Sequence, residues 1–278
     1  MKKIICSLAL ATAAIASPMI SHADVSLSIN VAPPALPVYE QPPMPGDGYM
    51  WTPGYWSWNE ADSDYYWVPG TWVQAPYEGA LWTPGYWGWG DGNYAWHSGY
   101  WGTHIGYYGG VNYGFGYVGV GYQGGYWNHG AFSYNRSVNN VGNVHVTNVY
   151  NTRIENATTS RVSYNGGKGG INLQPTRAET AIANMPHNAQ TAPQAQHEQG
   201  ARGNQNLRAS VNHGLPPVAA TPQPGAFNAK EVVAARPATP ARTEMPQQAH
   251  ASPRPQNAPH PASPHAQPHP GEEEHHEK

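Results

Sequence analysis

Indole rings dominate the residues of this sequence that could do chemistry. Trp56 and Trp58 stand two apart, as do Trp87 and Trp89, and Tyr94 follows closely. Residues two apart in extended backbone share a face. Each pair therefore offers a flat apolar platform of the kind that stacks on sugar rings. Asp62, Asp64, Asp91 and Asn93 are near in sequence and would supply hydrogen bonds to hydroxyls. The same rings can instead form the core, since aromatic side chains bury the largest areas. The scarcity of other core residues, set out below, favours that second role.

Other constellations are weaker. Asp62 and Asp64 form an acidic pair, but a calcium site needs six to eight oxygens, and no Asp-x-Asn-Gly continuation follows. Glycosidase carboxylates must stand apart across a cleft, so the pair reads as a solvated loop. His197, Glu198 and His213 do not form His-Glu-x-x-His, and there is no cysteine cluster, so no zinc site is expected. No Gly-x-Ser-x-Gly supports a Ser-His-Asp arrangement. Gly166-Gly167-Lys168-Gly169-Gly170 lacks the spacing of a phosphate-binding loop. His250, His260, His265, His269, His275 and His276 lie in a proline-rich tail and would hold transition metals only loosely. No catalytic residue, metal site or cofactor is assigned, and the chain reads as non-enzymatic.

The rings are arranged as a repeat. Trp51-x-x-Gly54-x-Trp56, Trp67-x-x-Gly70-x-Trp72, Trp82-x-x-Gly85-x-Trp87 and Trp96-x-x-Gly99-x-Trp101 follow one another, with glycines 16, 15 and 14 residues apart. A degenerate fifth copy reads Tyr122-x-x-Gly125-x-Trp127. Such a period sets an architecture. Trp and Tyr favour pleated surfaces, and Gly90-Asp91-Gly92-Asn93 suits a hairpin turn. Pro-Gly within the first three copies makes either a turn or a kink. A kinked strand plus connector suits the repeat length better, which predicts a Trp/Tyr-rich antiparallel meander with aromatic ladders across neighbouring strands. Residues 49–130 hold all 11 Trp and 14 Tyr but only seven Ile, Leu or Val. Aromatic rings must therefore supply the core, and those left over should cluster on the surface as a contact patch.

The flanking segments divide the rest of the chain. Residues 1–23 have the order of a secretory signal peptide: Lys2-Lys3, an apolar run from Ile4 to Ala16, then Ser21-His22-Ala23. The single cysteine, Cys6, falls within it, so the mature chain can form no disulfide. No later segment has transmembrane length. Residues 24–48 are a proline-rich, extended leader. Residues 106–127 alternate Gly with aromatics and resist placement. Residues 131–175 are rich in Asn, Val and Gly, with Tyr-Asn at 134, 150 and 164 and short strands suggested by Val141, Val144, Val146 and Val149. In residues 176–233, Thr176-x-x-Glu179 opens a helix as a capping box, and a weaker helix covers about 193–207. Residues 234–278 hold ten prolines and too little apolar surface to fold.

Charge narrows the partners. Between Asp24 and Asn135 there is no Lys or Arg, against eight acidic residues. Nucleic acid and anionic lipid are both excluded as partners of the aromatic region, because phosphates require cations. An envelope protein, a second copy of the chain or a glycan remains.

At the four repeats the chain resembles the bacterial YXWGXW (WxxGxW) repeat family. Tyr55-Trp56-Ser57-Trp58 and Tyr86-Trp87-Gly88-Trp89 carry its signature. The runs 112–117, 121–127, 134–140, 163–167 and 211–214 are similar to the rest of its body. The resemblance implies an exported envelope protein of Gram-negative bacteria, in the periplasm, at the outer-membrane periphery or outside the cell. Some relatives are tied to an accessory lipoprotein of contact-dependent inhibition loci, although this chain has no lipobox. No activity or catalytic residue comes with the family. We predict cleavage after Ala23. Intact-mass measurement of the protein from its native host should find Asp24 at the N-terminus, and an uncleaved chain in the cytosol would contradict the export assignment.

Overall fold

The computed structural model describes residues 28–142, 146–154 and 160–238. The signal peptide, Val144 and the tail beyond residue 238 lie outside the described residues. The architecture is mainly β, with short antiparallel strands, as the sequence leads one to expect, followed by three short helices.

A two-residue strand, β1 (Ser28–Ile29), precedes two long bent hairpins. The first consists of β2 (Tyr49–Thr52), β3 (Tyr55–Asn59), β4 (Asp64–Val68) and β5 (Gly70–Gln74). The second consists of β6 (Leu81–Thr83), β7 (Tyr86–Gly90), β8 (Asn93–His97) and β9 (Tyr100–Gly102). Each repeat is one strand bent at its central glycine, and each hairpin is two repeats facing each other. The register sets Trp51 opposite Trp72 and Trp56 opposite Trp67. In the second hairpin it sets Trp82 opposite Trp101 and Trp87 opposite Trp96. The turn at residues 90–93 puts Asp91 and Gly92 at positive φ, as a two-residue hairpin turn requires.

The glycine has a steric reason. A Cβ added at Gly54 would stand 2.3 Å from Cζ2 of Trp67 and 2.8 Å from the amide nitrogen of Gly70. At Gly70, Gly85 and Gly99 the added Cβ would lie 2.5 Å from Cζ2 of Trp51, Trp96 and Trp82 respectively. The first indole of every repeat therefore lies across the glycine of the facing repeat. There it meets the second indole edge-on or tilted, with ring centroids 5.2 Å (Trp56–Trp67) or 5.3 Å apart. The fourth repeat has Ser98 where the others have proline, yet it keeps this geometry, so the glycine is the required residue.

The meander does not run continuously from one hairpin to the next. After β5 the ladder is closed by β16 (Ala220–Thr221), which pairs parallel to it. The hairpins meet instead through rings and indole donors. Tyr55 stacks on Trp96 at 5.0 Å, and Trp87 Nε1 donates to the Trp56 carbonyl at 2.8 Å. Ring packing and an indole hydrogen bond take the place of backbone pairing here, since no strand of the first hairpin pairs with a strand of the second.

Beyond the second hairpin lie β10 (Asn112–Gly114) and β11 (Tyr117–Val118), joined through a run of positive-φ residues. Tyr113 and Tyr117 donate to the carbonyls of Gly85 (2.6 Å) and Trp82 (2.8 Å). This ties the Gly/aromatic segment to the second hairpin. A third hairpin follows, with β12 (Gly125–Asn128) against β13 (Ala131–Asn135), and β14 (Val149–Tyr150) runs parallel to β13. β15 (Tyr164–Asn165) lies parallel to β7. The helices are α1 (Arg177–Ala183), α2 (Ala192–Gly203) and α3 (Ala209–Asn212). α1 starts at the expected capping box, with Thr176 accepting from Glu179 N and Glu179 accepting from Thr176 N. Among the described residues no helix is long and apolar enough to cross a membrane.

The proline-rich leader is irregular, as expected, but packed: Leu36 and Met44 are buried. Residues 234–238, assigned by composition to the tail, are also engaged, since Arg236 N donates to Val38 O at 2.8 Å. If the indole-over-glycine contact holds the hairpins, Gly54→Ala and Gly85→Ala should each cost about 1–3 kcal/mol through forced overpacking. Gly90→Ala, where an added Cβ meets nothing within 4 Å, serves as the control. Thermal melts with equal losses at all three positions would contradict the steric account.

Candidate functional site

The proposed aromatic platform is only partly at the surface. Trp56 and Trp87 are each 1% exposed and Tyr94 is 4% exposed. All three belong to the core rather than to a binding face. The two-residue period placed Trp56 with Trp58 and Trp87 with Trp89 correctly by face, but depth changes along the strand. Trp56 and Trp87 sit where the hairpins meet, and the Trp87 ring is covered by Tyr65 at 5.5 Å. Trp58 and Trp89 lie two pairs nearer the hairpin tips. There each meets a cross-strand tyrosine: Trp58 with Tyr65 at 4.9 Å, Trp89 with Tyr94 at 4.6 Å. Tyr94 is covered in turn by Tyr164 and by β1. Trp58 is half-buried and Trp89 is 41% exposed, its ring against Gly167 and its Cβ against Gly166. Of the suggested platform, Trp89 alone presents a broad surface.

The framework residues lie where the repeat requires. Trp51, Trp67, Trp72, Trp82 and Trp101 are buried, and Trp96 is half-buried against Tyr55. Four of the indole donors of the repeats bind outside them. Trp56 Nε1 donates to Ala35 O, Trp72 Nε1 to Pro42 O, Trp67 Nε1 to Ala219 O and Trp101 Nε1 to Gln194 Oε1, at 2.8–3.1 Å. The leader, the C-terminal strand and α2 are therefore each pinned to a repeat tryptophan. Burying an indole without a partner is costly, so these carbonyls stabilise the core as well as their own segments. Trp51 Nε1 is fully enclosed and has no hydrogen-bond partner among the described residues.

One structural residue escaped the sequence reading, and two asparagines noted only as part of Tyr-Asn pairs acquire a role. Phe132 lies opposite Trp127 and across Gly125, where an added Cβ would stand 2.3 Å from its ring. It completes the degenerate fifth repeat in place of a tryptophan, and an aromatic five residues after Trp127 was the available signal. Asn135 donates to the Gln123 and Thr152 carbonyls and accepts from the amides of Ser137 and Thr152. It is the structural content of one Tyr-Asn pair. Asn165 does similar work in another, bonding Gly109 and Leu173 carbonyls.

The polar groups on α2 form a clamp. Glu198 accepts from Ser57 Oγ (3.2 Å) and Tyr66 OH (3.3 Å), while Arg202 Nε donates to the Tyr66 oxygen at 3.2 Å. Burial pushes the Tyr55 and Tyr66 hydroxyls up, and the adjacent Glu198 carboxylate adds to it. His197 is buried and stacked on Phe227. Its Nε2–H donates to Pro69 O and its Nδ1 accepts from Gly225 N, both at 2.9 Å, which defines a neutral ring. Asp62 pairs with Arg208 at 2.7 Å, and Asp64 accepts from Ser210 at 2.6 Å, so the acidic pair holds the α3 region against the first hairpin. Among the described residues no group of three or more His, Cys, Asp or Glu is placed to hold a metal ion.

The profile of the WXXGXW repeat matches the chain in two copies, at residues 46–73 and 81–101. Each match covers most of one hairpin, so the unit described by that profile coincides with the two-strand pair found here. The chain thus contains two copies of the WXXGXW repeat. No curated protein and no solved structure matches it.

Burial holds the His197 pKa down at about 4, below the value near 6.5 of an unfolded chain. The unfolded state therefore binds the proton first as pH falls. The stabilisation from neutral His197 is complete above about pH 6.5 and is lost progressively down to about pH 4, an effect of about 3 kcal/mol. Melting temperature measured between these limits should fall more steeply for the wild type than for His197→Gln, which can keep both hydrogen bonds without titrating. Equal slopes would contradict this role.

Proposed function

We propose that this chain is a non-enzymatic structural and interaction protein of the bacterial envelope or its exterior, exported by residues 1–23. In this reading its aromatic β-scaffold holds another protein or a second copy of the chain. The observation that carries it is the inward turn of the repeat. Its rings and most of its indole donors maintain a shape, which leaves contact to the surface around them. One part of that surface suits contact with another chain. β12 is the edge of its sheet, carries no charge and no proline, and exposes Tyr126 at 52% beside Tyr150. Unprotected edges of this kind accept a further strand.

Glycan binding keeps one supporting observation, the exposed Trp89 beside Asp91 and Asn93. The reading as an accessory factor of a contact-dependent inhibition-type system rests on resemblance alone. Crosslinking in intact cells should capture a partner or a dimer through β12, and Tyr126→Lys should abolish that product without lowering the melting temperature. An undiminished product would contradict the β12 contact. A saturable fluorescence change with cell-wall glycans that disappears in Trp89→Ala would favour the glycan reading instead.

A further inference from the structure

A cleft of about 220 Å³ opens where the leader crosses the bend of the first hairpin. Pro37 and Tyr39 line it from the leader, Gly54 and Trp67 from the bend, Phe115 from the β10–β11 turn, and Arg161 from the segment before β15. Ligand sites for larger molecules run to several hundred Å³, so this one suits a single ring.

Two features mark it as more than a packing gap. Phe115 has φ +53°, and both neighbours, Gly114 and Gly116, also have positive φ. A bulky side chain in that region costs on the order of 1–3 kcal/mol and persists where the surroundings fix it, commonly at ligand sites. One edge of the Phe115 ring covers Trp51, with centroids 5.4 Å apart, and the rest faces the cleft. The ring stands 5.3 Å from the Tyr39 ring, only half-buried, at the cleft wall.

The second feature is charge. Arg161 is the only charged side chain lining the cleft, and among the described residues no carboxylate pairs with it. Arg161 is exposed, and its side chain is tethered to the leader. Nη1 donates to Leu36 O at 3.2 Å, and Leu36 N donates back to the Arg161 carbonyl at 2.8 Å. A tethered guanidinium that lines the same cleft as two aromatic rings, with no carboxylate partner among the described residues, is complementary to a ring that bears a carboxylate.

We infer that the cleft binds a monocyclic carboxylate, its ring against Phe115 and Tyr39 and its carboxylate on Arg161. A sugar acid and an aromatic acid share this chemistry. Calorimetric titration of the full mature chain with glucuronate, benzoate, and their neutral counterparts glucose and benzyl alcohol separates them. One acid should saturate a single site, with its neutral counterpart at least about tenfold weaker. Arg161→Gln, which keeps a donor for Leu36 O, should weaken that acid by about ten- to a hundredfold. Phe115→Gly relieves the strained backbone, leaves the Arg161 tether intact and should weaken binding as well. The inference is overturned if neither acid binds at millimolar concentration, if the neutral compound binds equally well, or if Phe115→Gly binds like the wild type.

Discussion

An indole ring laid across a glycine on the facing strand sets the spacing of this molecule. The contact occurs four times, in reciprocal pairs, at Gly54 with Trp67, Gly70 with Trp51, Gly85 with Trp96 and Gly99 with Trp82. It brings two strands together at their bends and seats a tilted indole pair on either side. Nothing larger than hydrogen fits beneath the ring, and no smaller side chain would cover the same backbone. The motif is thus a rule about two strands although it is written along one. Its second tryptophan meets the first tryptophan of the neighbour, which explains why the four full copies pair two by two and why the profile matches once per hairpin.

The consequences extend outward from the rings. A β protein with only seven Ile, Leu or Val residues between positions 49 and 130 must bury polar edges along with its apolar faces, because every indole carries a donor. The structure meets this by bringing carbonyls from elsewhere in the chain to those donors. Ala35, Pro42 and Ala219 serve in this way, and Gln194 supplies a side-chain oxygen. Segments that would otherwise be loops thereby become part of the core. The phenols do the same in the Gly/aromatic segment, and burial raises their pKa values, so they stay protonated donors.

The repeat strands, their bend, the turn at Asp91-Gly92 and the cap at Thr176 were all legible in the sequence, because each depends on residues close together in the chain. The pairing of repeats into separate hairpins was not, since identical spacing suits a continuous meander equally well. The depth of Trp56, Trp87 and Tyr94 was hidden for a related reason. Periodicity reports which face a side chain occupies, while the amount of cover depends on another hairpin, on Tyr65 and on Tyr164. The packed state of the leader depends on indole donors up to about thirty residues away, and no local pattern records such a bond. Arg161 and Phe115 were likewise invisible as a pair until the fold brought residues 36, 54, 115 and 161 around one cleft.

A double-mutant cycle on Gly54 and Trp67, followed by denaturant unfolding, tests the indole-over-glycine contact most directly. Trp67→Leu alone removes the covering ring, so adding Gly54→Ala to it should cost less than Gly54→Ala costs in the wild type. We predict a coupling of about 1 kcal/mol or more, within the range found for residues in direct contact. Strictly additive losses would show that the ring does not bear on the glycine and would contradict the account.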